Sequence, residues 1–165
     1  MKAKICGITK VDHLKTCVDM GADFCGFILN YPKSHRFISF EIAKELTSIK
    51  KNKTNFVGVL VNPNHKELEK FSKLNLDYFQ IYGNYNDKKI SEIKSKYKKK
   101  IISALQIKNK KDILNYKNVE KFADIILWDS SGLEQSVSWK YDWIKSISGN
   151  FSKMIAGNLN IDKLE

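Results

Sequence analysis

The sequence predicts an α/β protein built on one parallel sheet, and three features predict it. Short runs rich in β-branched and aromatic residues alternate with amphipathic helical segments along all 165 residues, with no linker or break in composition. Turn-forming residues close most of the strands, and Ser, Asn or Asp opens several of the helices. Strands separated by helices connect through right-handed crossovers, which leaves neighbouring strands parallel.

The first strand is expected over residues 2–6 and ends at Cys6, ahead of the turn and cap residues Gly7 and Thr9. A helix over 11–20 stops at Gly21, and an apolar strand over 24–29 leads into a loop over 30–37. Ser39 caps a helix running to about residue 50. A strand over 56–61 ends at Asn62-Pro63, before a helix over 64–74. The fourth strand, 78–81, ends at Tyr82-Gly83 and is followed by a helix over 87–97. A strand over 100–105 and a helix over 110–122 come next. The sixth strand, 125–128, reaches Asp129, and a loop over 130–139 precedes a helix over 141–148. The seventh strand, 154–156, ends at Gly157-Asn158, with a further helix expected near Ile161.

Two parallel architectures fit this alternation, a (β/α)₈ TIM barrel and an open doubly wound sheet. No G-x-G-x-x-G follows the first strand, which removes the main support for a dinucleotide-binding fold. Polar or glycine residues end several different strands (Cys6, Gln80, Asp129, Gly157), which spreads candidate chemistry around a ring and favours the barrel. Residues 1–165 are accordingly read as a single barrel domain. Against the usual ~250-residue fold, about 40 residues, or one and a half βα units, are expected to be missing at the C-terminus.

Composition narrows the function classes. The apolar fraction of 42% suits a globular core. No run approaches the roughly 18–20 apolar residues of a membrane span, and no signal-peptide pattern opens the chain, so the cytoplasm is the expected compartment. Three cysteines in no metal-like spacing argue against a disulfide framework, and Cys17 and Cys25 are expected in the core. The net charge of +11 would ordinarily suggest a polyanionic partner, but the lysines are spread over nearly every helical segment and read as solvated faces. The densest run, residues 94–100, straddles a helix end, where cations suit the dipole. Arg36 is the single arginine among 29 basic residues, which points to a need for a guanidinium fork facing a carboxylate or phosphate.

Four positions besides Arg36 can carry chemistry. Cys6, at the carboxyl end of a strand, offers a thiol for proton transfer or attack, or alternatively a small core side chain. Gln80 can hydrogen-bond a substrate or fill a barrel mouth. Asp129, after a buried apolar run, can cap a turn or serve as acid or base in a cleft. Gly157 opens the backbone at the seventh βα loop, where barrels commonly bind phosphate through N–H groups.

Taken in order, these motifs resemble the phosphoribosylanthranilate isomerase family of tryptophan biosynthesis. The resemblance runs through Lys4-Ile5-Cys6-Gly7-Ile8-Thr9, Gly21-Ala22-Asp23, Gly26-Phe27 and Ser34-x-Arg36. It continues through Val57-Gly58-Val59, Val61-Asn62, Gln80-Ile81-x-Gly83, Trp128-Asp129-Ser130 and Asp142-Trp143. It implies an Amadori rearrangement of an aminoaldose to an aminoketose, with Asp129 as general acid and Cys6 as general base. It also implies Arg36 on the anthranilate carboxylate, Gln80 toward substrate, and Gly157 with Asn158 in part of the phosphate site. The implied partner is a small anionic substrate bearing a carboxylate and a phosphate, with no nucleic acid or membrane and a monomer or homodimer. No metal or cofactor is implied. The chain departs from the family pattern at Tyr82, where His is usual. It departs again at Ser136-Val137-Ser138-Trp139, where a Gly-rich stretch is usual, and at Asn158, where a second Gly follows. Two alternatives remain from the residues alone: another phosphate-binding barrel isomerase or lyase, and a non-catalytic basic binding protein.

Overall fold

The computed structural model describes residues 1–130 and 139–159. Its strands are β1 (Lys4–Cys6), β2 (Phe24–Ile28), β3 (Asn55–Val61), β4 (Tyr78–Tyr82), β5 (Lys100–Gln106), β6 (Ile125–Asp129) and β7 (Ser152–Ala156). They form one seven-stranded sheet in sequential order, and each neighbouring pair is parallel. All the carboxyl ends therefore lie on one rim. Helices α1 (Val11–Asp19), α2 (Phe40–Ser48), α3 (His65–Ser72) and α4 (Asp87–Tyr97) connect the first five strands.

Local chemistry sets the helix starts. Ser39 Oγ accepts the Ile42 amide at 3.3 Å, as the sequence suggests. Asn64 and Glu67 form a reciprocal capping box on α3, and Asn86 Oδ1 accepts the Lys89 amide at the start of α4. The two later helical segments differ from expectation. In place of a helix over 110–122 there is a 3-10 helix, Lys110–Asn118, and in place of one over 141–148 a four-residue 3-10 turn, Tyr141–Ile144. The first buries only Ile113 and leaves Leu114 exposed, so little apolar face favours the wider α-helical turn. Its start is tied by Asp112, whose carboxylate accepts the amides of Lys108 and Asn109. The loop over 130–139 lies largely, and the helix near Ile161 wholly, outside the described residues.

Two apolar layers follow from the period-two alternation of a sheet covered on both faces. One face carries Phe24, Val57, Tyr78, Ile102 and Leu127 in an inner cluster. The other carries Phe27, Phe56, Phe79, Ile101 and Trp128, packed against the helices. Cys25 belongs to this outer layer and is fully buried, and Cys17 on α1 packs partly buried against it.

At the amino-terminal rim an aspartate precedes each even-numbered strand through β6 and is used in the same way each time. The carboxylates of Asp23, Asp77 and Asp124 accept the amides of Ala3, Phe56 and Ile101, each at 2.8 Å. Their own amides donate back to the carbonyls of the same three residues. Their carbonyls accept the amides of Asn55, Lys100 and Ser152 on the following strand. Lys51 pairs with Asp77 at 2.7 Å and Lys94 with Asp124 at 2.8 Å.

The lysine run over 94–100 is thus more structural than a solvated face. Besides Lys94, Lys98 takes the left-handed C-cap of α4, and Lys99 Nζ donates to the carbonyls of Leu74 and Leu76. Burial pulls Lys99 down from the ordinary lysine range. Among the described residues, no helix is long and apolar enough to cross a membrane.

Replacing Asp77 by Ala leaves the Phe56 amide and the Lys51 ammonium without this partner, and should cost about 1–3 kcal/mol in urea unfolding. The equivalent change at Asp142, whose pair with Lys145 is 77% exposed on both sides, should cost no more than about 0.5 kcal/mol. Burial, with Cys17 alongside, pushes the Cys25 thiol up to about 12, so it stays protonated and unreactive well above neutral pH. Alkylation of the native protein at mildly alkaline pH, read by peptide mass spectrometry, should mark Cys6 and spare Cys25.

Candidate functional site

The carboxyl-terminal rim collects the polar residues that end the strands. Cys6 ends β1 and lies beside Gly26 of β2. Lys4 and Cys6, two residues apart, share the face that looks over Gly26. A Cβ on Gly26 would sit 2.9 Å from Lys4 Nζ and 3.0 Å from Cys6 Sγ, so the glycine makes the space these two heteroatoms occupy. The amides of Gly7 and Ile8 both donate to the Gly26 carbonyl, at 2.9 and 3.0 Å, and turn the chain away from the rim.

Arg36 reaches back to this corner from the loop after β2. Its side chain lies over Gly7 (φ +81°), where a Cβ would come within 2.5 Å of Arg36 Cδ. Its Nη1 donates to the Cys6 carbonyl at 3.0 Å. The loop is held by Ser34 Oγ, which accepts the Arg36 amide at 3.2 Å, and by a bridge between Ile28 and Phe37. The guanidinium remains exposed at the rim beside Cys6.

A second group of polar residues joins β4 to β6. Asp129 is 4% exposed and Gln80 1%. The Tyr82 hydroxyl donates to Asp129 Oδ2 at 2.6 Å and accepts from Gln80 Nε2 at 3.1 Å. Gln80 Oε1 is buried and has no hydrogen-bond partner among the described residues. Desolvation is the main cause that holds the Tyr82 phenol well above the ordinary tyrosine range, followed by the charge of Asp129 and its hydrogen bond, then by Cys6. Cys6 and Asp129, far apart in sequence, both bear electrostatically on this one hydroxyl. Beside Tyr82 a cleft of about 370 Å³ opens between the ends of β3, β4 and β5, lined by Asn62, Gln106 and Asn115 among others.

The end of β7 adjoins Asp129 through its neighbour Ala156. Gly157 (φ +111°) and Asn158 (φ +45°) both take left-handed backbone and turn the chain. The Ala156 carbonyl accepts Trp139 Nε1 at 2.9 Å, and the Gly157 carbonyl accepts the Tyr141 hydroxyl at 2.8 Å.

The structure thus puts Cys6 and Arg36 at one corner of the rim, Gln80 and Asp129 at another, and Gly157 with Asn158 just beyond Asp129. Sequence reasoning did not assign Lys4 or Tyr82 to the site. The available signal was the strand period, since Lys4 stands two before Cys6 and Tyr82 two after Gln80.

Comparison with known proteins gives this arrangement its context. The family model described as N-(5'phosphoribosyl)anthranilate (PRA) isomerase matches residues 3–165. The N-(5'-phosphoribosyl)anthranilate isomerase of Streptococcus gordonii is 36% identical over 93 residues, 56% of this chain and 47% of that protein. That of Rhizobium leguminosarum bv. trifolii is 26% identical over 169 residues, 98% of this chain and 76% of the relative. The chain matches the streptococcal relatives over about half of their length. Among solved structures, phosphoribosyl anthranilate isomerase from Thermotoga maritima superposes with a TM-score of 0.84 at 30% identity, covering 97% of this chain and 78% of that one. A complex of such an isomerase with reduced 1-(o-carboxyphenylamino)-1-deoxyribulose 5-phosphate superposes at 0.81 and 28% identity, covering 97% and 77%. With the family match running over residues 3–165, this chain belongs to the N-(5'-phosphoribosyl)anthranilate isomerase family.

Proposed function

We propose that the chain catalyses the isomerisation of N-(5'-phosphoribosyl)anthranilate, and that Cys6 and Asp129 are its base and acid. The observation that carries this reading is the placement of a thiol and a buried carboxyl at strand ends of one rim, with the Tyr82 hydroxyl bound to the carboxyl. An Amadori rearrangement needs one proton delivered to the furanose ring oxygen and another removed from C2′. Two groups on separate strands can flank a sugar and do both.

In this mechanism Asp129 gives its proton to the ring oxygen. The C1′–O bond breaks with its electron pair going to that oxygen, and the anthranilate nitrogen pair forms the C1′=N⁺ bond. Cys6, as thiolate, then removes the C2′ proton, and the electrons released neutralise the iminium to an enolamine, which tautomerises to the ketone. Arg36, exposed beside Cys6, holds the anthranilate carboxylate. Gln80 offers its unpartnered Oε1 to a substrate donor. Gly157 and Asn158 contribute backbone to the phosphate site. The chain is one domain in this reading, and its seven parallel strands belong to a (β/α)₈ barrel.

Against the basic-binding alternative, some of the lysines are engaged with carboxylates or carbonyls of the fold, as Lys51, Lys94, Lys99 and Lys153 are.

The test follows the fluorescence of freshly made phosphoribosylanthranilate in the presence of this chain. Cys6→Ala and Asp129→Asn should each lower turnover by about 10²–10⁴-fold with unchanged circular dichroism. Normal turnover in either variant would remove that residue from the mechanism. Activity on another phosphosugar, and none on this substrate, would select a different barrel isomerase. Arg36→Lys, which replaces a two-point fork by a point charge, should raise KM about tenfold and change kcat far less.

A further inference from the structure

We propose that Tyr82 is the positioning residue of the acid: its hydroxyl stabilises the carboxylate that Asp129 becomes on protonating the sugar, and so promotes ring opening. The inference rests on the reading of Asp129 as general acid, and adds a residue that the sequence marked only as a departure from its family.

The direction of the hydrogen bonds carries it. Gln80 Nε2 donates to the Tyr82 oxygen at 3.1 Å, which leaves the phenolic hydrogen for Asp129 Oδ2 at 2.6 Å. That distance is at the short end for O–H···O, so the hydroxyl sits in a close, well-formed bond to the carboxyl. The chain runs Gln80 to Tyr82 to Asp129, and both of its ends are almost fully buried. Tyr82 is a lasting donor here, because desolvation and the charge and hydrogen bond of Asp129 keep its phenol protonated.

The consequence is a bond that strengthens as the reaction proceeds. In the acid form, Oδ2 takes the Tyr82 hydrogen and the carboxyl still carries the proton that leaves. As the carboxyl O–H bond breaks and the new O–H bond forms at the furanose oxygen, negative charge spreads over both carboxylate oxygens. The Tyr82 bond then changes from neutral to charge-assisted. An interaction stronger after proton transfer than before lowers the barrier without tightening substrate binding. Among the described residues the titratable group in contact with the hydroxyl is Asp129 of β6; Cys6 of β1 acts on it through charge alone, and Gln80 on its own strand is neutral. Lys4 stands beside Cys6 across Gly26.

The experiment compares wild type with Tyr82→Phe, which keeps the ring and removes the hydroxyl. The expected result is a fall in kcat of about 10–100-fold with little change in KM, the size of one lost bond to a charged group. The alkaline limb of the kcat profile should move to higher pH, because Asp129 then keeps its proton longer. In parallel, carboxyl ¹³C NMR of the ligand-free protein should show the Asp129 signal, identified by its loss in Asp129→Asn, titrating at higher pH in Tyr82→Phe. Gln80→Leu, which frees the phenol's direction, should give a smaller shift of the same sign and serves if Tyr82→Phe does not fold.

A lower kcat with neither the pH limb nor the NMR titration moved would mean a packing role only and would overturn the proposal. So would an unchanged kcat. If wild type fails to turn over phosphoribosylanthranilate while the NMR titration still moves, the isomerase reading fails and the coupling of Tyr82 to Asp129 stands.

Discussion

Three aspartates at the amino-terminal rim hold the register of the whole sheet. Asp23, Asp77 and Asp124 each bind the strand before by carboxylate and amide, and the strand after by carbonyl. Between them they tie β1 through β7. Register matters because side chains alternate with a period of two, so a one-residue slip turns every inward side chain outward. Lys4, Cys6, Gln80, Tyr82 and Asp129 reach a common rim only because the strands are pinned at the opposite end. The lysines that pair with Asp77 and Asp124 place positive charge where it supports this register.

At the other rim the design is one of openings and anchors. Gly26 leaves room for Lys4 and Cys6 to share one face, and Gly7 leaves room for Arg36 to lie back over the end of β1. A side chain at either position would collide with the groups that give the corner its charge. The opposite corner is anchored by polarity. Tyr82 links Gln80 to Asp129, while Ile107 donates its amide to the Asp129 carbonyl at 2.8 Å. In this low-dielectric setting each polar group depends on its neighbour, which fixes geometry more firmly than packing alone. Asn30 adds a tie at the same rim by exchanging hydrogen bonds with both the amide and the carbonyl of Val61.

Some of the lysines behind the high net charge are engaged within the fold. Lysines serve as ion-pair partners and carbonyl caps, and lie over aromatic rings, as Lys100 does over Tyr78 and Lys70 over Phe40. These engagements place cations around the helices and the amino-terminal rim. The arginine stands apart from them, with its Nη1 on the Cys6 carbonyl.

The sequence alone determined the alternation of elements, their order and the strand ends at which chemistry could sit. Those features are local: apolar periodicity, capping residues such as Ser39 and Asn64, and turn residues such as Gly83 are written within a few positions of where they act. It placed the strands to within a residue or two, and it overextended the helices over 110–122 and 141–148, because tertiary burial decides whether a weak apolar face winds as an α-helix. Only the tertiary structure decided which strand ends face one another. The chain of hydrogen bonds from Gln80 through Tyr82 to Asp129 spans 47 positions in one step, and the hydrogen bond from Arg36 to the Cys6 carbonyl spans 30. No local pattern encodes such pairings; they arise from strand register and from the space that Gly7 and Gly26 leave open.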